Sequence, residues 1–498
     1  MNVNPITRLD YPDPDVIRVE DTYYMVSTTM HFMPGCEILQ SFDLVHWEHA
    51  TYVYETLDHT DAQQLKSGQN IYGQGMWAAS LRYHEGRFYI CFVANDTRKT
   101  YLYNSEKIDG PWKKQLIEGF YHDGSLLFDE DGRNYIVYGN DEIWITELNE
   151  DLTAPKKDGL HRLLVSDHKN PELGYEGSHI QKINGYYYIF LIHSLRDRWM
   201  RTEACFYSDS LEGEFTGGDV LCDDRGYCGQ GVAQGGIVDT PDGKWYAMLF
   251  QDSGAVGRIP ILLPVTWKDH FPVFGQNGHV PEEIEVHSTR PGYIYQPLVG
   301  SDDFCNGLLP RWQFNHDPDP RYYHLDALQG TYTITTREVC TELTQAVNTL
   351  TQRMSYPSCA AEVTVDASAL KEGDVAGLCA LQSCYAAVGI TKHHGKYEVL
   401  MLDKKEDGIL DMTEGTVVES HQMDFRLEAD FCNMKDEARC YYRVNKGDWL
   451  PIGTVHKLYF KLDHFTGCRF GLFCYAAEET GGSACFRDFK YYDVDEIS

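Results

Sequence analysis

Five short runs constrain this chain more than any other feature in it: DTYYMV, GRFYIC, GRNYIV, GYYYIF and GKWYAM, whose last tyrosines are Tyr24, Tyr89, Tyr135, Tyr188 and Tyr246. Each is rich in aromatic or β-branched residues and follows a Gly- or Asp-containing turn, the pattern of the second strand of a hairpin. They recur at intervals of about 45 to 65 residues, the spacing of propeller blades rather than of helical repeats. Five units predict five blades. Several units close on a related corner, SFDLVHW (41–47), SEKIDGPW (105–112) and SDSLEGEF (208–215), where a polar turn precedes one large aromatic suited to packing on a neighbouring blade. Amphipathic-helix periodicity is nearly absent, so the expected class is all-β.

The repeat also carries a register. In a propeller the first strand of each blade lines the central channel, so equivalent residues lie at one depth around it. Eleven residues before Tyr24 is Asp13, and twelve before the other four tyrosines are Trp77, Asp123, Glu176 and Gln234. A single acid at a strand end is usually only solvated; three in one register point to a shared site at one mouth of the channel. Clustered carboxylates suit a hard metal or acid/base chemistry. DEDGRN (129–134) lacks the closing glutamate of a calcium loop and reads as a turn. The dispersed triad fits glycoside hydrolysis, in which one carboxylic acid protonates the leaving oxygen and a second carboxylate acts from the other side. Trp77, and Phe32 in HFMPG, are candidate platforms for sugar faces, with structural packing as the alternative for each.

At 498 residues and 43% hydrophobic content the chain can build two or three domains. A formal charge of -32 argues against nucleic acid and anionic membranes as partners. No run approaches the roughly 18 apolar residues of a membrane span, and MNVNPITRLD has neither the basic nor the apolar part of a signal peptide, so a cytoplasmic location is expected. The 15 cysteines form no CxxC pair and are expected as reduced, mostly buried thiols.

NPITRLDYPDPDVIRVEDTYYMVSTTMHFMPG, GMWAASLRYHEGRFYI, HDGSLLFDEDGRNYIVYG, YEGSHIQKINGYYYIF and GGIVDTPDGKWYAMLFQDSGAVGRIPILLPVTW together resemble glycoside hydrolase family 43 across the first 300 residues. The resemblance implies a five-bladed β-propeller and hydrolysis with inversion. Its base falls on Asp13 in YPDPD, its acid-tuning carboxylate on Asp123 in HDGS and its acid on Glu176 in YEGSH, the three residues that the repeat register selects. It also implies that Arg258, in VGRIP, reaches the substrate or Asp123. Burial and the charge of Asp123 are expected to raise the pKa of Glu176, with the two working carboxyls roughly 6.5–9.5 Å apart. Asp15 is read as a turn-capping neighbour that bonds to backbone. Many relatives carry a histidine where this chain has Gln234, so no metal or other cofactor is required, and a Ca2+ ion in the channel is left to the carbonyl oxygen of Gln234. WAAS (77–80) departs from the proline common among relatives.

SDDFCNGLLPRWQFNHDPDPRYYHL resembles the junction that opens the C-terminal β-sandwich of many members, and GTYTITT, AAEVTVD and KYEVLML alternate as half-buried antiparallel strands. The domains are therefore assigned as a catalytic propeller over 1–300 and a concanavalin-like jelly roll over 301–498, packed on the propeller and able to lend a loop to its rim; Phe314 and His316 are the candidates for that loop, with simple packing the favoured role for both. The reading is an exo-acting inverting glycosidase that removes terminal α-L-arabinofuranosyl and/or β-D-xylosyl residues from arabinoxylan- or xylan-derived oligosaccharides. An endo- or exo-arabinanase and a non-catalytic carbohydrate-binding propeller are the alternatives. A homo-oligomer is compatible with it.

Overall fold

The computed structural model describes residues 4–461 and 464–493. Each of the five aromatic runs is the second strand of a four-stranded antiparallel blade. Blade I comprises Asp15–Val19, Thr22–Ser27, Gly35–Ser41 and Glu48–Tyr54; blade II begins with Met76–His84, blade III with Ser125–Phe128 and blade IV with Glu176–Ile183. In blade V the innermost strand is split into Val232–Ala233 and Ile237–Asp239, both paired with Trp245–Asp252. The gap between the two pieces includes Gly235, where a side chain would begin 1.8 Å from the Met248 carbonyl, so only glycine fits there.

The corner aromatics hold blades together. Trp47 sits in one cluster with Met25 and Leu39 of blade I and Val238, Met248 and Leu262 of blade V. Phe215 joins Ile143 and Leu164 of blade III to Ile189 of blade IV. Burying one such side chain stabilises by about 1.5–3 kcal/mol, which accounts for a large aromatic after each polar turn.

The ring is closed by its own N-terminal segment. Asn4 exchanges two hydrogen bonds with the backbone of Leu262, at 2.7 and 2.9 Å, and the Tyr11 amide donates to the Arg258 carbonyl at 3.0 Å. Residues 4–11 thus run beside Arg258–Lys268 of blade V before turning into blade I.

The second body is two antiparallel sheets. One runs from Tyr323–Asp326 through Thr331–Thr335, Ser483–Asp493, Ser358–Asp366, Gln422–Asp430 and Glu437–Arg443 to Leu450–Lys457. The other contains Gln313–Asn315, Leu350–Arg353, Arg469–Tyr475, Val375–Leu381, Ala386–His393 and Lys396–Lys404, and its edge strand, Phe32–Met33, belongs to the propeller. A core of Val363, Leu378, Val388, Phe425, Leu472 and Phe486 fills the space between them. The two bodies are also joined by a buried ion pair, Arg353 to Glu37 at 2.8 Å, and by Arg353 Nε donating to the Asp10 carbonyl at 2.8 Å.

This junction decides three sequence readings, in favour of packing over sugar contact each time. Phe32 is fully buried, with the Arg469 guanidinium 3.5 Å from its ring centroid and Leu343, Cys379 and Phe473 around it, so it presents no face to a sugar. Phe314 pairs with Met33 and is buried, and His316 is buried with its Nε2 accepting the Ile71 amide. Neither reaches the catalytic mouth.

Candidate active site

The five register positions gather where the innermost strands begin, and the backbone there is unusual in every blade. Asp13, Asp123 and Gln234 are in the left-handed region, with φ of 54°, 48° and 60°. Blades II and IV reach the same height through Gly75 and Gly177, at φ of 78° and 63°, together with bulges that re-aim Trp77 and Glu176. A non-glycine residue held this way costs about 1–3 kcal/mol and persists only where its surroundings fix it. Here they do: Ser27 Oγ and the Thr28 amide donate to the Pro12 carbonyl, the Gly139 amide donates to the His122 carbonyl, and the Gln234 amide donates to Glu203.

Asp13 is buried, and both of its oxygens are engaged. Arg258 Nη1 donates to Oδ1 at 2.8 Å and Thr28 Oγ1 donates to Oδ2 at 2.7 Å. Of the two contacts that the resemblance implies for Arg258, with substrate or with Asp123, the one with Asp123 is replaced by one with Asp13, and its Nε lies 3.4 Å from Asp252.

Asp123 and Glu176 share one imidazole. His122 Nε2 lies 3.5 Å from Asp123 Oδ2 and 3.4 Å from Glu176 Oε2, and Asn140 Nδ2 donates to Glu176 Oε2 at 2.7 Å. Burial, reinforced by the charges of Glu176 and Asp13, pushes Asp123 up to about 6 against the opposing charge of His122. Burial draws His122 down, but the surrounding carboxylates, Asp123 first, push it up to about 9. For Glu176, burial acts upward and is outweighed by the hydrogen bond and charge of His122, then by Arg201 and Arg258, so the carboxyl lies below its ordinary value. The expectation of a raised Glu176 omitted the imidazole; the elevated carboxyl of this pair is Asp123.

Asp15, two residues beyond Asp13, accepts the Leu81 amide at 2.7 Å as expected of a backbone-bonding neighbour, but it does more than cap a turn. It also pairs with Arg82 at 2.7 Å and His179 at 3.1 Å, pinning three blades at mid-channel. Gln234 is buried with its side chain against Gly177, where an added Cβ would come within 2.7 Å of it. Both oxygens of the nearby carboxylate, Asp15, are taken by a guanidinium, an imidazole and an amide. The nitrogen and carboxylate oxygens of His122, Asp123 and Glu176 lie within 4.8 Å of one another, a spacing that the shared imidazole already explains.

Several residues of the mouth escaped the sequence reading. His122, Asn140 and Thr28 touch the carboxylates directly. Phe465 comes from the sandwich: its ring centroid is 5.2 Å from that of Trp77, and the Arg258 guanidinium is 4.5 Å from it. Phe460 backs Phe465 at 5.8 Å. Outward from Arg258 the pattern continues, with Phe250 at 4.8 Å, then Arg201 at 5.4 Å from Phe250, and Trp199 at 5.2 Å from Arg201. Asp252 lies between the two arginines, 2.7 Å from Arg201. Only the adjacency of His122 to a register position offered a signal in sequence.

The family model described as glycosyl hydrolases family 43 matches residues 3–272, and that of the beta xylosidase C-terminal concanavalin A-like domain matches 301–492. Among solved structures, a bifunctional GH43-CE protein of Bacteroides eggerthii is 42% identical with a TM-score of 0.92, covering 99% of this chain and 64% of that one. The present chain thus spans just under two thirds of that protein's length. An engineered GH43 glycoside hydrolase described as displaying both endo-xylanase and exo-arabinofuranosidase activity is 27% identical, with a TM-score of 0.86 and 99% of each chain covered. A beta-xylosidase of Formosa agariphila is 26% identical over 99% of this chain and 89% of its own length. Propeller, sandwich and the carboxylates at the channel mouth together place the chain in glycosyl hydrolase family 43.

Proposed function

We propose that the protein is an exo-acting, inverting glycosidase that releases terminal pentosyl residues, α-L-arabinofuranosyl and/or β-D-xylosyl, from xylan- or arabinoxylan-derived oligosaccharides. The observation that carries this reading is the division of three carboxylates, Asp13 and Asp123 buried and Glu176 half-buried, into two environments. Asp13 is oriented by Arg258 and Thr28 and acts as the base. Asp123 and Glu176 share the His122 imidazole and form a proton-holding group in which Glu176 is the donor and Asp123 tunes it.

The water oxygen attacks the anomeric carbon while its proton passes to Asp13. The bond from that carbon to the glycosidic oxygen breaks, and Glu176 delivers a proton to the departing oxygen. The sugar leaves as a hemiacetal of inverted configuration. Asp13 then releases its proton to solvent and Glu176 takes one up from solvent for the following turnover, while the protonated imidazole of His122 beside both carboxyls holds the resting Glu176 carboxyl below its ordinary value. Phe465 over Trp77 roofs the mouth from the sandwich side, which favours one terminal sugar over a chain passing through. The pentose assignment is supported by the names carried by the relatives.

Glu176→Ala should lower kcat on an unactivated oligosaccharide by about 10^2- to 10^4-fold while calorimetric binding of that oligosaccharide is retained. Unchanged turnover would sink the assignment. Proton NMR of the first sugar released reads the anomer directly, and retained configuration would exclude Asp13 as a water-activating base.

A further inference from the structure

The general acid must touch the glycosidic oxygen, so the part of the substrate that leaves lies on the side of Glu176. Glu176 opens the innermost strand of blade IV and pairs with Ile192 of the next strand, Tyr186–Ser194; two residues on, Ser194 pairs with Arg201. The hairpin loop 195–200 therefore projects from the catalytic face beside the acid. At its tip is Trp199, with 46% of its surface exposed. Among the described residues, the other exposed large apolar side chains of the blades sit elsewhere. Tyr83 lies by the turn at the opposite end of blade II, and Leu116, Leu163 and Val273 lie on outermost strands.

Trp199 is exposed but fixed. Its ring rests on Arg201, a guanidinium that is itself 7% exposed and anchored to Asp252 at 2.7 Å. The loop beneath is cross-braced: the Leu195 amide donates to the Met200 carbonyl at 3.0 Å, the Met200 amide to Ser194 Oγ at 2.8 Å, and the Ser194 amide to the Leu173 carbonyl at 3.0 Å. A rigid ring with one face on a cation and much of its surface in water is preorganised for another ligand. The C–H face of a sugar carries slight positive charge and suits the negative face of an indole. Trp199 also ends the alternating series of rings and guanidiniums that starts at Trp77 and passes Phe465, Arg258, Phe250 and Arg201, so it is continuous with the catalytic mouth.

We propose that Trp199, seated on Arg201, is the stacking platform for the leaving-group side of the substrate, taking a sugar ring of a neutral oligosaccharide beyond the bond that is cleaved. The inference rests on the glycosidase reading above and adds where the rest of the chain lies. The net charge of -32 fits a neutral glycan better than an anionic polymer.

The test compares two donors of the same pentose: a glycosyl fluoride, whose leaving group carries no sugar, and a tetrasaccharide. For Trp199→Ala the ratio of kcat/KM on the tetrasaccharide to kcat/KM on the fluoride should fall about tenfold, mainly through KM, and Trp199→Phe should restore most of it. An unchanged ratio, whether both rates fall together or neither does, would overturn the proposal. So would an unchanged ratio with a loss of self-association in sedimentation, which would make the loop a contact between copies of this chain. Wild-type protein inactive on both donors would remove the glycosidase reading itself, and this inference with it.

Discussion

Two clusters share the propeller channel, one at its mouth and one at mid-depth, and they are built from the same residue types. At mid-depth, Asp15 meets Arg82 and His179, and its charge is matched. Burial pushes the Asp15 carboxyl up, yet Arg82 and His179 outweigh it and hold the group below its ordinary value. At the mouth, Asp13, Asp123 and Glu176 surround one imidazole and one directly bonded guanidinium, and burial, reinforced by the charges of Glu176 and Asp13 against that of His122, pushes Asp123 up to about 6. Burial acts on both aspartates. The balance of charge decides which one becomes a fastener and which becomes chemistry.

The same near-isosteric change should therefore have opposite effects in the two clusters. Asp15→Asn strands Arg82 in a buried setting and should destabilise the fold by about 3–5 kcal/mol in urea denaturation at pH 7. Because the folded value of Asp15 is depressed, its contribution is present above the ordinary carboxylate value and lost as pH falls through the folded one. The gap between variant and wild type should narrow below about pH 4. An equal gap at pH 3 and pH 7 would break the comparison.

Asp123→Asn should stabilise. A carboxyl raised to about 6 favours folding most below its ordinary value, and that benefit is lost as pH rises through 6. The variant should exceed wild type by about 1–3 kcal/mol at pH 7 and by less at pH 4, with oligosaccharide turnover lost. A variant less stable than wild type at pH 7 would show that the mouth is held together by its charges after all.

Glu203 sharpens the contrast from a third side. It is fully buried, its one hydrogen bond comes from the Gln234 amide at 2.7 Å, and burial raises it far above the ordinary range. Burial favours its neutral form, which glutamine mimics, so Glu203→Gln should shift stability by no more than about 0.5 kcal/mol at pH 7. At alkaline pH, wild type should fall behind the variant as the buried acid ionises. A loss of several kcal/mol at neutral pH would mean that Glu203 is charged.

The sequence exposed what repeats. Trp77, Asp123, Glu176 and Gln234 could be found by counting because five blades place equivalent residues at equal offsets from one strand, and Asp13 differed by a single residue. It concealed what crosses between repeats. Phe465 approaches Trp77 from nearly 400 positions away, and nothing periodic links them. Phe32 was misread for a related reason: an aromatic side chain suits a sugar face or a core equally, and nothing local shows that Phe32–Met33 leaves blade I to edge the sandwich. The titration of Glu176 turned on His122, which stands beside Asp123 in HDGS and looks unremarkable until the blades bring it to Glu176.

The closure of the ring has a temporal meaning. The segment that holds Asp13 in place is the earliest described part of the chain to be synthesised, yet its partners on blade V arrive some 250 residues later, and the Gly467 amide that bonds Asp10 later still. At the usual pace of about 5–20 residues per second, the ribosome releases these partners about 10 to 90 seconds after the base has emerged. Blades II to IV can pair their own strands in the meantime, since each is a local meander. Hydrolytic competence then appears at the end of assembly, when the first turn of chain is captured by the last.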